Sequence, residues 1–496
     1  MKAISTDDTW RSRTSDIRMY GGWVKEGIYG GHDETGTQYD NASVKIYGGK
    51  VGSDIDHLAN IHGGGYGNNT FTCGSVDVTI GKQNATDGAT IFGDVYGGSA
   101  MGKVNGESNR TNDAVTNVTL NAGTINGALY GGGLGTASNP ADVYGPVQVK
   151  VYGGSVKTTD GTGNNGSGGV YGCNNTNGEP KSTVNVDIYH TDPAPSADEY
   201  ALHAVYGGGN KADYAQGTPH VTVHRCGNSI EYVYGGGNAA DITNGNTDVT
   251  IYGGDVIGNV FGGGNGSAPG TEANVSGGTN VKIYGGTILN VFGGSNTRGT
   301  IGGNINVLAE SRTESGESNC PMDVKSLFAG GNLAACNGGT VTVNCGAKVD
   351  DVYGGANMAD INNNIHLVIK GGNIHRVFGG NNASGAITGT ITVDIDVTGG
   401  CGDTIGYVYG GGNQAPYTAP DSDKNCPKVN VIKGHVLHDV YGGGLGLKTD
   451  ATKGTITGNP QVKIYKGQVR IDGNVFGGGN AGKVFGNTNV QVGVTE

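Results

Sequence analysis

The sequence has little charge, little proline and no long apolar run. Only 15% of its 496 residues are Asp, Glu, Lys or Arg, while 35% are hydrophobic, many of them Val and Ile. This balance argues against a disordered chain. The 12 prolines occur without a Gly-X-Y triplet pattern, which excludes collagen. No apolar run has the length of a membrane-spanning helix.

Several signals of particular compartments and chemistries are also missing. The first residues, MKAISTDDTW, lack the basic and apolar regions of a signal peptide, so we expect an internal protein or a mature or excised piece of a larger one. The net charge of −12 argues against nucleic acid or an anionic membrane as partner. The sequence contains no phosphate-binding loop and no GxSxG elbow. We therefore predict no cofactor and no catalytic triad.

The 8 cysteines include no CxxC pair, which argues against zinc, and we predict no metal site. Eight cysteines allow 105 pairings, so the sequence does not fix a disulfide pattern. Cys401 with Cys426, and Cys320 with Cys336, each flank one repeat and are candidates for clips across a loop. Buried free thiols are the alternative.

What the sequence does have is glycine, 99 residues or about one in five, roughly three times the ordinary share. Much of it belongs to one recurring motif, which we call the phrase: an aliphatic residue followed by an aromatic residue and then by glycine. The phrase recurs at intervals of 25 residues or more, and once has His in the aromatic place. Its aliphatic residues are Ile28, Ile61, Val95, Leu129, Val170, Val205, Val233, Val260, Val291, Leu327, Val352, Val377, Val408, Val440 and Val475.

Each repeat begins with an alternating run such as TDVTIYGG, in which Val249 and Ile251 share one face, the pattern of a half-buried strand. Two further short stretches follow in each unit, and no helical periodicity persists. Three short strands per ~25 residues predict an all-β fold, a three-sided parallel β-helix of about 15 coils that we expect to be right-handed. We predict an N-terminal cap at residues 1–24 and a single β-solenoid domain at 25–496, with variable corner loops.

Aligned repeats form an aromatic column directly after the aliphatic one. Strand alternation puts these rings on the face opposite the aliphatic residues, so two interpretations stay open. They form a structural stack at a half-buried corner, or they form an exposed stripe that binds sugars or a neighbouring protein. The candidates are Tyr206, Tyr234, Phe261, Phe292, Phe328, Tyr353, Phe378 and Tyr409. A weaker second column follows the first strand at Tyr47, Tyr152, Tyr189, Tyr252, Tyr284 and Tyr465.

An asparagine column lies five residues beyond the aliphatic marker. Asn tolerates turn conformations, and stacked amides can bond from coil to coil, so we predict a structural ladder inside a corner. Its members on consecutive coils are Asn175, Asn210, Asn238, Asn265, Asn296, Asn332, Asn357, Asn382 and Asn413.

Candidates for catalysis or calcium binding are few. Asp213, Asp241 and Asp360 share a column and could hold calcium, although solvated carboxylates are the commoner outcome. Polysaccharide-active β-helices need carboxylates, or bases with carboxylates, that converge on one face. The candidates for that role are scattered along the chain, and we predict that the protein is not an enzyme. They are Asp350 with Asp351, His375 with Arg376, and Asp439 with His435 and His438.

The motifs GGTI (285–288), GGNI (371–374), GGDV (253–256) and FGGN (378–381) resemble those of glycine-rich β-helix surface proteins of bacteria. These include adhesins, autotransporter passenger regions and polymorphic outer-membrane proteins, and the chain is also similar to large surface proteins of gut Bacteroidetes. The resemblance implies an extracellular or cell-surface location and an adhesive, structural or filament role.

The expected partners are other copies of the chain, glycans or surface proteins. The chain stops just after a first-strand run, so we expect a fragment of a longer rod or an end that meets another copy. The alternative function is a polysaccharide-active β-helix enzyme, a lyase or a phage tail-spike hydrolase.

Overall fold

A computed structural model describes residues 14–53, 57–85, 88–106, 113–157, 168–194, 199–398 and 402–495. These residues form β-strands and no helix, and every pairing between named strands is parallel. The fold is a parallel β-solenoid, as the repeat predicts. The chain divides into two compact units, residues 1–245 and 246–496.

In the first unit the strands stack in three sets, which we call the first, second and third sides. The first side contains Ser15–Met19, Ala42–Ile46, Val76–Ile80, Thr116–Leu120, Val147–Tyr152, Val184–His190 and His220–Val223. The second side contains Trp23–Val24, Gly27–Tyr29, Lys50–Val51, Asn60–His62, Ala89–Ile91, Val95–Tyr96, Gly123–Ile125, Leu129–Tyr130, Ser155–Val156, Gly169–Tyr171, Leu202–Tyr206 and Ser229–Tyr234. The third side contains Thr35–Gln38, Asn69–Thr72 and Lys103–Val104, and isolated bridges continue it.

The second unit repeats this arrangement. Its first side contains Thr247–Ile251, Thr279–Ile283, Ile305–Ala309, Thr340–Val343, Ile365–Ile369, Ile391–Asp396, the first half of Lys428–Val436, Gln461–Tyr465 and Asn489–Val494. Its second side contains Val256–Phe261, Gly286–Phe292, Met322–Phe328, Lys348–Tyr353, Asn373–Phe378, Ile405–Tyr409, the second half of Lys428–Val436, Val440–Tyr441, Val469–Ile471 and Val475–Phe476. Its third side contains isolated bridges followed by Tyr417–Thr418, Ile456–Thr457 and Val484–Phe485.

The core of each unit is a set of aliphatic columns, because like residues pair in register from coil to coil. Val205 pairs with Val233 in the first unit, and Val260 pairs with Val291 in the second. All four side chains are fully buried. Each coil therefore shares its apolar interior with its neighbours, and none could bury that surface alone.

The glycines that follow the aromatic column permit close approach of successive coils. A Cβ added to Gly379 would lie 2.3 Å from the carbonyl oxygen of Gly410 on the next coil. Gly379 does not have a left-handed φ, so its role is to leave room for the backbone. Gly379 is therefore required for the close packing of the coils and not for a turn with positive φ.

The predicted cysteine clips are wrong. Cys336 and Cys426 are buried free thiols, so neither can bond to Cys320 or Cys401. Cys336 instead belongs to the third side, where its backbone bridges to Ile361. Cys73 and Cys173 are also buried thiols, whereas Cys226, Cys320 and Cys345 are disulfide-bonded. Cys401 lies outside the described residues.

Residues 1–13 of the predicted cap also lie outside the described residues. Within the rest of that segment, Ser15–Met19 and Trp23–Val24 pair in register with Ala42–Ile46 and Lys50–Val51. Residues 15–24 therefore pair with the following coil as the repeats do.

Candidate functional site

The aromatic column is buried and stacked. Its eight candidate rings, from Tyr206 to Tyr409, are 0 to 4% exposed. In the first unit the centroids of Tyr206 and Tyr234 are 4.7 Å apart. In the second unit neighbouring rings from Phe261 to Tyr409 lie 4.6 to 4.9 Å apart and nearly parallel. The column is not an exposed stripe, because each ring face lies against another ring where a sugar would have to stack.

The alternating pattern predicted that these rings lie on the face opposite the aliphatic residues. They are buried instead, because the chain turns a corner directly after them. Polar groups before and after the phrase cover the ring edges. The hydroxyl of Tyr96 donates to Asp94, two residues earlier, at 2.7 Å and accepts from Asn175 Nδ2 at 2.8 Å. Tyr441 is held in the same way between Asp439 and Asn480. Burial raises the pKa of Tyr409 to about 12.

The asparagine column forms side-chain ladders within each unit. In the first unit Asn210 Nδ2 donates to Asn175 Oδ1 and Asn238 Nδ2 donates to Asn210 Oδ1, both at 2.9 Å. In the second unit five such bonds of 2.7 to 2.9 Å join consecutive members of the series Asn265, Asn296, Asn332, Asn357, Asn382 and Asn413. These amides bond to one another, so their role is to hold neighbouring coils together.

The weaker second column is more accessible, yet its rings also stack. Tyr152 and Tyr189 lie 4.7 Å apart, and Tyr189 and His224 lie 4.1 Å apart. All three are half-buried. The imidazole of His224 pairs with Asp187 at 3.1 Å. Stacking leaves mainly ring edges toward solvent, so this column is a poor platform for a sugar ring.

The carboxylates considered for calcium accept backbone hydrogen bonds instead. Asp213 Oδ1 accepts from the N–H of Asp241 at 2.8 Å, and Asp360 Oδ1 accepts from the N–H of Ala386 at 2.7 Å. Burial raises the pKa of Asp213. The described residues contain no group of three or more His, Cys, Asp or Glu side chains placed to hold a metal ion.

The structure brings most of the scattered polar candidates onto one surface, the outer face of the second side in the second unit. In consecutive coils Asp351 pairs in register with Arg376, and Arg376 with Tyr407. The guanidinium of Arg376 binds Asp351 through two hydrogen bonds, Nε donating to Oδ1 at 2.7 Å and Nη2 to Oδ2. Lys325 forms an ion pair with Asp350 beside them. Asp350 and Asp351 are therefore already engaged by cations, whereas Asp439 accepts hydrogen bonds from Tyr441 and Asn474.

The next coils complete what we call the Tyr407 patch, formed by His375, Arg376, Gly406, Tyr407 and His438. Gly406 is buried, and a Cβ there would clash with the carbonyl oxygen of His375, whereas the side chains of His375 and His438 are exposed. The ring of His438 stacks on Tyr407 with centroids 4.5 Å apart, and the ring of His375 meets Tyr407 at 69° and 6.0 Å. The patch is thus a group of planar polar side chains on three neighbouring coils.

A β-bulge shapes this patch. Ile405 pairs with Val436 and Val408 pairs with Val440, so three residues of one strand lie opposite two of the other. The extra residue brings Leu437, 37% exposed, to the rim beside His438. Bulges are frequent next to binding and active sites because they redirect side chains.

Among the described residues, three polar groups of the Tyr407 patch are unpaired, as are the exposed His190 and His220, whereas four other histidines are paired. Four other histidines pair with a carboxylate on a neighbouring coil, namely His203 with Glu231, His224 with Asp187, His366 with Asp394 and His435 with Asp472. Within the described part of the chain, the rings of His375 and His438 and the hydroxyl of Tyr407 have no hydrogen-bond partner. They face solvent with their bonding capacity free.

Sequence reasoning named His375, Arg376 and His438 but missed Tyr407 and did not place them together. The available signal was the alignment of IHRV, IGYV and LHDV on three consecutive repeats. Tyr407 and Gly406 stand out only once that register is fixed.

No protein family, curated protein or solved structure compared with this chain matches it. Across the described ranges, no helix has the length and hydropathy needed to cross a bilayer.

Proposed function

We propose that this protein is a structural or adhesive component of a bacterial surface or extracellular filament. Its rigid β-solenoid would present outer strands and corner loops to glycans, to surface proteins or to other copies. The proposal rests on the positions of the repeated side chains. The aromatic and asparagine columns, the most regular chemical features of the sequence, bond and stack from coil to coil and leave little for a substrate.

Rigidity supports this role. In each unit, apolar columns, stacked rings and amide ladders all tie neighbouring coils together, in addition to the parallel strand pairing. Each contact repeats at the strand spacing of ~4.8 Å, so stabilisation accumulates with every coil added. Such a scaffold suits a display or support function, for which shape matters more than motion.

An extracellular location is supported by the cysteines. Cys226, Cys320 and Cys345 are disulfide-bonded, and structural disulfides persist mainly in oxidising compartments. The four remaining described cysteines are buried, where they are protected from oxidants. Localising the native protein by protease accessibility on intact cells would test this point. A wholly intracellular, fully reduced protein would contradict it.

The alternative, a polysaccharide-active enzyme, is favoured by one observation, the gathering of Arg376, Tyr407, His375 and His438 on one face. A hydrolase of the usual kind also needs two carboxyl groups with separate roles. Here Asp350 and Asp351 are paired with Lys325 and Arg376. We therefore propose binding rather than cleavage at this face.

Incubating the protein with a panel of neutral and acidic polysaccharides would test this choice. The expected result is no new reducing ends and no unsaturated products in the ultraviolet. Depolymerisation of any polymer, abolished by His438→Ala or Tyr407→Phe, would refute the structural function and establish the enzyme.

A further inference from the structure

We propose that the Tyr407 patch is a binding site for a neutral saccharide, recognised by the ring of Tyr407 and the imidazoles of His375 and His438. This inference rests on the proposed adhesive role and names the partner for it. It assigns recognition to a surface other than the two repeated aromatic columns.

The first argument is the availability of planar groups. Within both repeated columns the rings lie face to face, so sugars cannot stack between them. In the Tyr407 patch the rings of His375 and His438 are exposed, and the ring of His375 meets Tyr407 at 69° rather than face to face. Half-buried aromatic residues combine an apolar body with a polar tip, which suits the alternating C–H and O–H surface of a sugar.

The second argument is the unused hydrogen-bonding capacity. The imidazoles of His375 and His438 and the hydroxyl of Tyr407 have no partner among the described residues. Each neutral imidazole offers one donor and one acceptor, and the phenol offers both. Sugar hydroxyls also donate and accept, so three such groups along one strand edge could meet successive hydroxyls of one chain.

The third argument concerns charge. The cations next to the patch are compensated, Arg376 by Asp351 through two hydrogen bonds and Lys325 by Asp350. An acidic polymer would have to displace these carboxylates, so a neutral glycan fits better.

A shared metal ion does not fit the patch, because His375 and His438 lie two strand spacings apart, about 10 Å across the strands. Metal–nitrogen bonds are only ~2 Å long, so the two imidazoles could not hold one ion without rearrangement.

The position of the patch in the chain adds support. It lies within the second unit, with further coils paired on both sides of it. The exposure of His375 and His438 therefore does not arise from a missing neighbour. The bulge at Leu437 is what turns His438 toward Tyr407.

The experiment is isothermal titration of the full chain with cellohexaose, xylohexaose, mannohexaose and an oligogalacturonate of six residues. Tyr407→Ala and His438→Ala are compared with the matched control Tyr465→Ala, which removes a half-buried ring from the first side of the same unit. We expect at least one neutral hexasaccharide to bind, with Kd raised tenfold or more by either patch variant and changed less than twofold in the control. Circular dichroism melting should show all variants folded.

Three results would overturn the inference. They are no binding of any neutral hexasaccharide, equal losses in Tyr465→Ala and the patch variants, or preferential, salt-sensitive binding of the oligogalacturonate. If a variant fails to fold, Tyr407→Phe and His438→Asn replace it, and unchanged affinity in both would likewise overturn it. Cleavage of a bound oligosaccharide, seen by chromatography, would defeat the structural function while leaving the binding site in place.

Discussion

Replacing His62 by Phe should make the first unit more resistant to acid. His62 occupies the aromatic column of the first unit, between Tyr29 at 5.0 Å and Tyr96 at 4.6 Å, with both rings nearly parallel to it. It is 1% exposed and its Nδ1 has no hydrogen-bond partner in the described structure. A charged imidazolium there would lack both water and a counter-ion, and burial accordingly lowers the pKa of His62 to about 3.

The sign of the effect follows from the two protonation states. In the unfolded chain a histidine has a pKa of about 6.5, above its value in the folded state. Above pH 6.5 both states are neutral and stability is unaffected. Between pH 6.5 and about 3 the unfolded chain binds a proton that the folded chain excludes. Folding then weakens by about 1.4 kcal/mol per pH unit, or about 3 kcal/mol at pH 4.5.

The assay uses the chain's own tryptophans. They are Trp10 and Trp23, and Trp23 lies in a strand that pairs with Lys50–Val51, so its fluorescence during urea unfolding reports on the first coils. The free energy of unfolding is measured at pH 7.5 and 4.5 for the wild type, His62→Phe and the control His220→Phe, which alters an exposed histidine. Carboxylates such as Asp94, whose pKa burial raises, titrate in every chain and cancel in the comparison.

We expect His62→Phe to gain about 3 kcal/mol relative to the wild type on going from pH 7.5 to 4.5, by linkage. His220→Phe should show no such gain. If the difference between His62→Phe and the wild type were the same at both pH values, the imidazole would not be held neutral by the stack, and the reasoning would fail.

Three further predictions concern the contacts between coils. Asn382→Ala breaks two ladder bonds and should destabilise the second unit by about 1 to 3 kcal/mol in urea unfolding. Asn306→Ala, in an exposed amide pair, should cost less than half of that. Ile369→Ala empties a fully buried core position and should cost about 2 to 5 kcal/mol, against about 0.5 for its outward neighbour Val368→Ala. Thiol titration without reductant should give slow reaction in the folded protein and fast reaction in denaturant at Cys73, Cys173, Cys336 and Cys426. Similar losses of unfolding free energy for the two asparagine variants, or for Ile369→Ala and Val368→Ala, would contradict the roles assigned to Asn382 and Ile369. Rapid labelling of the folded protein would contradict the burial of the four thiols.

Sequence periodicity was sufficient for the fold, because the solenoid is built from local, repeated rules. Alternation in TDVTIYGG predicts a strand with Val249 and Ile251 buried, and both are. A spacing of 25 residues or more sets one coil, and identical phrases must then stack in register. The asparagine series could be predicted as a ladder for the same reason, since repetition in sequence becomes adjacency in space.

Repetition did not determine the direction of the aromatic rings. Alternation treats a strand as straight, whereas the chain bends directly after Tyr353 and Phe378 and encloses both rings. Residues as distant as Asp94 and Asn175 cover the ring edges, and only the folded chain shows that enclosure.

The grouping of residues in the candidate site could not be predicted from the sequence. His375, Tyr407 and His438 are each 30 or so residues apart and belong to no repeated column. Their contact depends on the register of three strands and on one inserted residue near Leu437. The sequence by itself determined which aliphatic residues turn inward and how coils stack, because burial of periodic apolar residues decides both. The tertiary structure alone decided which irregular residues meet on the outer face, because coil length and bulges set their alignment.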